Sequence, residues 1–226
     1  AMQTVERPLN GPLDFLTRDV EAAFTVAELL RLPKALLNRG LGLVSGTFGR
    51  SFDFAQRSAI VDGLKAGNSG SISSEDGVVV AIWDPARLHI QASDVAEPFR
   101  FGLEVPGLTE SEVFGWALQA RIGAAPGQLA QRDALTIHID PKLVNGSLYF
   151  RSMESGDAMA PAGFEGTRKL SDLISEAKLT QAARKRLPIV CDLLGPIWAP
   201  GVCYSNRVKC DVNAMEALIL SFGPLE

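Results

Sequence analysis

The sequence predicts an α+β protein, in which an N-terminal helical domain precedes a C-terminal mixed, mainly antiparallel β domain that contains a short pair of basic helices. In the N-terminal part of the chain, apolar residues recur at helical spacing, whereas the later part alternates apolar and polar residues as strands do. A Gly- and Ser-rich segment, residues 66–77, separates the two patterns and is typical of a loop. We therefore predict a helical domain over residues 1–68 and an α+β domain over residues 69–226.

The helical domain is predicted from four segments. Apolar side chains lie at helical intervals in residues 13–24 and 26–32, and a further helix is expected over residues 34–39. The glycine-rich segment 40–51 is predicted to be a loop. The last helix begins at Asp53, which forms a capping box with Gln56, and it continues to Gly67.

Residues 45–51, SGTFGRS, have the serine and glycines with which phosphate-binding loops expose backbone N–H groups. The segment lacks the aspartate of a pyrophosphatase loop and the Gly-Lys-Ser/Thr of a Walker motif, and no strand is predicted before it. We interpret it as a structural linker. We expect no specific ATP site and no cofactor in this chain.

The second domain is predicted from strand-like segments and turns. Asp76-Gly77 is a favoured type I′ hairpin turn, and residues 87–92 follow as a strand. Further strands are expected within residues 99–106, 112–123, 134–140 and 146–153, with a proline-bounded pair of strands before residue 201. Residues 214–222 fit either a final strand or a helix.

Two short helices are predicted within residues 163–201. In the first, Leu170, Leu173, Ile174 and Ala177 follow the i, i+3, i+4, i+7 spacing, and Thr167 is expected to cap it. The second is expected to begin at residue 180 and to end before the proline at 188, because the residue preceding a proline avoids helical geometry.

The charges on these helices differ in their relation to the helix dipole. Arg184, Lys185 and Arg186 fall in the last turn of the second helix, where the dipole favours cations. Arg168 and Lys169 are expected in the first turn of the first helix, where the dipole disfavours cations and a bound anion would compensate. We therefore expect Arg168 and Lys169 to matter more for anion binding than residues 184–186.

The net charge of −4 is unevenly distributed along the chain. Residues 168–209 contain eight Lys or Arg against three acidic residues, whereas the remainder contains 14 basic and 23 acidic residues. Such a distribution favours a localised anion-binding face over diffuse binding to polyanions. The candidates for this face are Arg168, Lys169, Arg184, Lys185, Arg186 and Arg207.

The same region resembles a known family. The residues that carry the resemblance are Arg151, Gly156, Asp157, Pro161, Gly163, Gly166, Arg168, Lys169, Leu170, Asp172 and Leu173, followed by residues 187–190 (LPIV) and 198–201 (WAPG). In this order they resemble the C-terminal domain of tRNA(Ile)-lysidine synthetases over residues 147–209. The preceding helical residues resemble the region before that domain. The Ser-Gly-Gly-x-Asp-Ser loop of the family's N-terminal ATP-pyrophosphatase domain does not occur in the sequence.

The resemblance implies a tRNA-recognition region of an ATP-dependent ligase that converts the wobble cytidine of tRNA(Ile) to lysidine. It implies that ATP and Mg²⁺ act in the catalytic domain, so no catalytic residue is expected here. Recognition of folded RNA relies largely on phosphate and 2′-hydroxyl contacts, which basic side chains on a rigid surface provide. Neither a membrane span nor a signal peptide is predicted, so the expected location is the cytoplasm.

Two other functions are considered. The first is a structural or oligomerisation module, such as a homodimer interface, in which the basic cluster is solvated surface. The second is a hydrolase that uses His138, Asp140 and a cysteine, although no motif supports it. The two histidines lack metal-ligand spacing, and Cys191, Cys203 and Cys210 match no zinc or disulfide pattern, so no metal site is expected.

Overall fold

The computed structural model describes residues 10–93, 97–125, 135–211 and 213–225. The chain forms two compact units, Ala1–Ala96 and Glu97–Glu226. This division differs from the predicted boundary near residue 68, because the strands that follow residue 69 pair with a strand from the N-terminal part. Among the described residues, no helix is long and apolar enough to cross a membrane.

Unit 1 is an antiparallel four-stranded sheet covered by helices. Its elements are β1 (Glu21–Thr25), α1 (Val26–Leu29), α2 (Lys34–Thr47), α3 (Phe54–Ala66), β2 (Gly70–Ser73), β3 (Val79–Trp83) and β4 (Arg87–Ala92). The strand order is β1-β4-β3-β2. The helices and the sheet share one apolar core, which includes Phe52 and Ile60 from the helical part and Leu88 from β4.

The predicted helix over residues 13–24 is wrong. Gly11–Leu16 form a single stretch of 3₁₀ helix, and β1 pairs with β4 so that Phe24 lies opposite Leu88. The pairing satisfies the backbone hydrogen bonds of β1 through a strand that is distant in sequence. A local apolar spacing cannot report such a partner, and the predicted purely helical domain over residues 1–68 is therefore corrected to a helix-covered sheet.

The predicted loop over residues 40–51 is wrong for its first part, because α2 continues to Thr47. A Cβ atom at Gly42 would lie 2.6 Å from Arg57 Nη1, and one at Gly46 would lie 2.7 Å from Ser51 Oγ. These glycines therefore allow α3 and the intervening segment to approach α2 closely. The packing compensates for the low helix propensity of glycine, which is about 1 kcal/mol below that of alanine.

The local signals around α3 are confirmed. The Asp53 side chain accepts a hydrogen bond from Gln56 N at 2.7 Å, and Asp53 N donates to Gln56 Oε1 at 2.9 Å. Gly67 ends the helix in the left-handed conformation. Gly77, in the turn between β2 and β3, has positive φ but Asp76 does not, so the type I′ turn predicted at Asp76-Gly77 is wrong.

Trp83 is packed between two glycines of unit 1. A Cβ atom at Gly63, in α3, would lie 2.8 Å from Trp83 Cζ2, and a Cβ atom at Gly70, in β2, would lie 2.5 Å from the same atom. Real Cβ contacts are not this short, so the indole ring lies against bare backbone on both elements. The helix and the edge of the sheet are therefore joined through one large side chain.

We expect Gly63→Ala to destabilise unit 1 even though alanine favours a helix. Overpacking a well-packed core costs about 1–3 kcal/mol, which exceeds the gain in helix propensity of about 1 kcal/mol. Urea titration gives the free energy of unfolding. In a Trp83→Leu background, which removes the contacted ring atoms, the same substitution should be neutral or stabilising. Equal losses in both backgrounds would contradict this packing explanation.

Unit 2 contains two larger antiparallel sheets, one two-stranded ladder and two short helices. Its elements are β5 (Arg100–Gly102), β6 (Gly107–Ser111), β7 (Trp116–Ala124), β8 (Thr136–Ile139), β9 (Tyr149–Arg151), β10 (Ala158–Met159), β11 (Arg168–Lys169), α4 (Leu170–Glu176), α5 (Gln181–Arg186), β12 (Ile189–Asp192), β13 (Gly195–Ala199), β14 (Cys203–Tyr204) and β15 (Glu216–Pro224). The sheets have the orders β14-β13-β12-β9-β5 and β6-β7-β15-β8. The mainly antiparallel character predicted for this part is confirmed.

The C-terminal segment is a strand rather than a helix. β15 pairs with β7 along its whole length and with β8 on its other side. Both ladders supply partners for its backbone, and Leu218 and Leu220 are buried. An aromatic cluster forms the core of this unit, with Trp116 lying 5.3 Å from Phe150 and 5.5 Å from Phe222 between ring centroids.

A buried ion pair connects β9 to the start of α4. Arg151 Nη1 and Nη2 each donate to one carboxylate oxygen of Asp157 at 2.7 Å, and the two side chains are only 7% and 8% exposed. The hydrogen bonds that Arg151 donates to Asp157 raise the pKa of Arg151. Burial raises the pKa of Asp157, but hydrogen bonds from Arg151 and from Glu154 N bring it below its ordinary value of 3.8. Asp157 O also accepts from Leu170 N at 2.8 Å.

We expect this pair to make unit 2 sensitive to acid. Because the folded-state pKa of Asp157 is depressed, its contribution is fully present above about pH 3.8 and is lost as the pH falls through the lower folded value. Asp157→Asn should lower the free energy of unfolding at pH 7 by about 3–5 kcal/mol, because it leaves a buried guanidinium without its counterion. Its difference from the wild type should shrink below about pH 3.8.

The measurement is urea unfolding between pH 7 and about pH 2.5, followed by the fluorescence of Trp116 and Trp198, which are both buried in unit 2. A Trp83→Phe background removes the signal from unit 1. A stability difference that stays constant across this pH range would contradict the role assigned to Asp157.

Candidate nucleic-acid interface

The structure places Arg168 and Lys169 in a strand rather than in the first turn of a helix. β10 and β11 pair with Met159 opposite Arg168 and Ala158 opposite Lys169, and α4 begins only at Leu170. Lys169 occupies the N-cap position that was predicted for Thr167, and its side chain makes no capping hydrogen bond. The ladder holds both basic residues in extended backbone. The helix-dipole argument for Arg168 and Lys169 as first-turn residues is therefore corrected.

Arg168 is paired with the last turn of α4. Its Nη1 donates to Glu176 Oε2 at 3.0 Å, and its Nη2 contacts Glu176 Oε1. This hydrogen bonding raises the pKa of Arg168 and lowers that of Glu176. Glu176 thus supplies the negative charge that we expected a bound anion to supply beside Arg168. Lys169, in contrast, is exposed and keeps its charge at the surface.

α5 presents its three basic residues in three different environments. Thr180 caps the helix by accepting from Ala183 N at 3.2 Å. Arg184 Nε donates to Leu179 O at 2.8 Å, and Arg184 Nη1 reaches Ser175 Oγ of α4 at 3.3 Å, so this side chain is half-buried between the helices. Lys185 is exposed to solvent.

Arg186 does not belong to the interface. It is 2% exposed, its Nη2 donates to Val113 O at 2.7 Å, and its guanidinium lies 5.3 Å from the ring centroid of Phe114. A helix of this length turns successive residues to different sides, and the third residue of the basic triplet faces the core. Its prediction as an RNA-binding residue is therefore corrected to a structural role.

Arg207 also has a structural role. Its Nη1 and Nη2 donate to the two carboxylate oxygens of Asp192 at 2.7 Å each. Asp192 is fully buried at the turn between β12 and β13, and it also accepts from Asn145 N and Leu194 N at 2.9 Å each. Burial raises the pKa of Asp192, but these hydrogen bonds bring it below its ordinary value. Arg207 is thus the counterion of a buried carboxylate.

Lys178 is one of the basic residues of the segment 168–209, but it was not among the candidates predicted for the anion-binding face. It is exposed, directly follows the C-cap of α4, and has a φ of 56°, which makes it the non-glycine residue with positive φ among those described. Glycine is the usual residue in this left-handed position after a helix, because a Cβ atom is unfavourable there. A lysine just after the predicted end of a helix is the signal that could have identified it.

Five further basic residues lie on or directly beside the two helices in the chain. Arg184 contacts α4 at Ser175, and Arg168 contacts α4 at the adjacent Glu176. We call this region the α4–α5 basic surface; its residues are Arg168, Lys169, Lys178, Arg184 and Lys185. Asp172 is also exposed on α4. The surface can contact phosphates through its three exposed lysines and through the solvent-facing side of Arg184.

Burial raises the pKa of all three cysteine thiols that were considered for hydrolysis. Burial raises the pKa of the Cys191 and Cys203 thiols to about 11, so both are protonated at neutral pH. Burial and the charge of Arg121 lower the pKa of His138. In the described parts of the chain, no group of three or more His, Cys, Asp or Glu side chains is arranged to hold a metal ion.

Comparison with known proteins identifies relatives of this region. The TilS substrate C-terminal domain family matches residues 147–219. The chain is 26% identical over 210 residues to the tRNA(Ile)-lysidine synthase of Symbiobacterium thermophilum, which covers 88% of this chain and 43% of the relative. It is 30% identical over 202 residues to that of Geobacillus kaustophilus, which covers 86% of this chain and 42% of the relative. The chain thus spans less than half the length of these relatives.

A solved structure supports the same relationship. A crystal structure of a TilS C-terminal domain has a TM-score of 0.52 and 28% identity, and the similarity covers 57% of this chain and 99% of that domain. The family match, the relatives and the solved domain all correspond to the C-terminal region of these proteins. Residues 147–219 therefore match the TilS substrate C-terminal domain family, and the chain is similar to the C-terminal part of tRNA(Ile)-lysidine synthases.

Proposed function

We propose that this region binds tRNA for a lysidine-forming ligase, and that the α4–α5 basic surface contacts the phosphate backbone. The observation that carries the proposal is the coincidence of the surface with the family match, since all five of its residues fall within residues 147–219. Lysines held at the surface of a packed domain neutralise phosphates and position a folded RNA without reading its sequence. The ligase chemistry, with its ATP and Mg²⁺, is assigned to a catalytic domain outside this sequence, and the expected location is the cytoplasm.

The individual contributions follow from the contacts of each side chain. Lys169, Lys178 and Lys185 are exposed, so binding a phosphate displaces only water and counterions. Arg168 must share its guanidinium with Glu176, and Arg184 retains its hydrogen bond to Leu179 O. We therefore assign the larger share of the electrostatic affinity to the lysines. This ranking replaces the expectation that Arg168 and Lys169 matter more for anion binding than residues 184–186.

A competing function is protein–protein association without RNA binding. The exposed acidic residues Asp172 and Glu176 on α4 and the net charge of −4 favour it. Electrostatic binding to RNA and association with a second copy respond differently to salt and to protein concentration. The two functions are therefore separable by a titration with tRNA at several salt concentrations, combined with sedimentation of the free protein.

We expect Lys169→Ala combined with Lys185→Ala to weaken tRNA binding and to reduce the slope of log K against log salt by about two, because each lost phosphate contact removes about 0.9 from the slope. Gel-shift or anisotropy titrations with tRNA(Ile) at several salt concentrations measure both effects. Lys65→Ala combined with Lys142→Ala removes the same charge from exposed positions outside the surface and should leave the slope nearly unchanged. Similar losses in both double variants would show that only the net charge matters.

We expect Lys178→Gly to separate stability from binding. Glycine relieves the left-handed conformation, so the free energy of unfolding should rise slightly, by about 0.5–1 kcal/mol, whereas tRNA affinity should fall with a loss of about one in the salt slope. Thermal unfolding and the same tRNA titration give the two values. Lys142→Gly is the control, because Lys142 is exposed but lies outside the α4–α5 basic surface. If Lys178→Gly stabilises the protein and binds tRNA normally, Lys178 makes no phosphate contact.

A further inference from the structure

An exposed aromatic side chain lies at the tip of the β10–β11 hairpin. Phe164 is 64% exposed, and its ring makes no aromatic contact within the described part of the chain. The aromatic side chains of the unit 2 core, such as Trp116 and Phe150, are by contrast almost completely buried. Single exposed apolar side chains are common at protein surfaces, so exposure alone assigns no role to Phe164.

The backbone that carries Phe164 is firmly held. Ala162 N donates to Tyr204 O at 2.9 Å, Asn206 N donates to Ala160 O at 2.8 Å, and Phe164 N donates to Pro161 O at 3.1 Å. These hydrogen bonds attach the hairpin loop to β14 and to the 3₁₀ turn that follows it. The ring is thus displayed by a structured loop, which reduces the conformational entropy that a ligand would have to remove on binding.

Glycines shape both sides of the tip. Gly163 and Gly166 have φ values of 85° and 81°, and a Cβ atom at either position would meet nothing within 4 Å. Glycine is therefore required at both positions by the backbone conformation and not by a lack of space for a side chain. Together they turn the chain before and after Phe164, so the aromatic ring is placed outside the body of the domain by backbone geometry.

The charges beside the ring indicate what kind of ligand covers it. Glu165 is exposed next to Phe164 and repels a phosphate, but a carboxylate accepts hydrogen bonds from base amino groups. Lys169 is exposed on the return strand and attracts phosphate, while Arg168 on the same strand is paired with Glu176. A flat apolar ring flanked by a base-compatible acceptor and a phosphate-compatible cation suits a nucleotide whose base is not enclosed in a duplex.

We propose that Phe164 stacks on an unpaired nucleobase of the bound RNA. The inference rests on the proposed tRNA-binding function and adds a contact of a different physical kind. Stacking on an aromatic side chain is independent of base identity and insensitive to salt, whereas the lysine contacts depend on salt. The tip therefore distinguishes RNA with accessible bases from other polyanions, which the α4–α5 basic surface alone does not do.

Tryptophan fluorescence tests the stacking directly. The three native tryptophans, Trp83, Trp116 and Trp198, are at most 9% exposed, so Phe164→Trp introduces an exposed reporter into the whole chain. Its emission should be quenched saturably by tRNA(Ile) and not by heparin, a polyanion without bases. Phe54→Trp is the matched control, because Phe54 is 70% exposed in unit 1, and its emission should not change saturably with tRNA.

Affinity measurements provide the second test. Phe164→Ala should weaken tRNA binding by about 5- to 150-fold, the range found when one stacked base loses its aromatic partner, with the salt slope unchanged. Phe164→Tyr should keep most of the affinity, and heparin binding should be the same in all three proteins. Circular dichroism of each variant verifies the fold.

The outcomes separate the two proposals. If the wild type binds tRNA while Phe164→Ala binds equally well and Phe164→Trp is not quenched, the stacking proposal is wrong and the tRNA-binding function stands. If the wild type does not bind tRNA at any salt concentration, both are wrong. If Phe164→Ala dissociates a dimer seen by sedimentation and leaves tRNA binding intact, the ring is covered by a second copy of the chain and the stacking proposal is overturned.

Discussion

The buried ion pair between Arg151 and Asp157 is the interaction on which the arrangement of unit 2 depends most. It joins the end of β9 to the loop before β10, and through the carbonyl of Asp157 it also holds the first residue of α4. The hairpin, the helix and the central sheet are thereby fixed relative to one another. Both side chains are more than nine-tenths buried, and they remain ionised only because each is paired with the other.

A second pair, between Arg207 and the fully buried Asp192, does the same for the opposite end of the five-stranded sheet. Asp192 organises the turn between β12 and β13 by accepting two backbone N–H groups as well. The two pairs divide the basic residues of this region into two classes. Arg151 and Arg207 form bidentate contacts with carboxylates inside the domain, whereas the lysines around α4 and α5 stay at the surface, where a point charge on a flexible stem suits phosphate contacts.

This division explains why the basic segment is less cationic at its surface than its composition suggests. Arg186 is enclosed by Val113 O and the Phe114 ring, and Arg207 is neutralised by Asp192. The charge that remains for a ligand lies mainly on the lysines around α4 and α5. The hairpin tip adds an apolar contact whose orientation is set by glycines, so the surface combines a salt-dependent and a salt-independent component.

The features that depend on local contacts were predictable from the sequence. The capping box of Asp53 and Gln56, the turn at Gly77 and the cap at Thr180 involve residues within three positions of one another, so a short window contains all the atoms concerned. The family motif also identified the correct region of the chain, including Arg151 and Asp157, without showing that they bind each other. The mainly antiparallel character of the second part followed from its alternation and turns.

The tertiary structure was needed to show which backbone segments pair with distant segments. It was also needed to show which basic side chains already bind groups within the protein. Residues 21–25 became a strand because β4 pairs with them, and α2 continued past its glycines because α3 packs against their bare backbone. Arg168, Arg186 and Arg207 were indistinguishable from surface cations until Glu176, Phe114 and Asp192 were placed beside them. Hydrogen bonds and ion pairs between residues far apart in the chain leave no periodic pattern, so their energies override local propensity without a local signal.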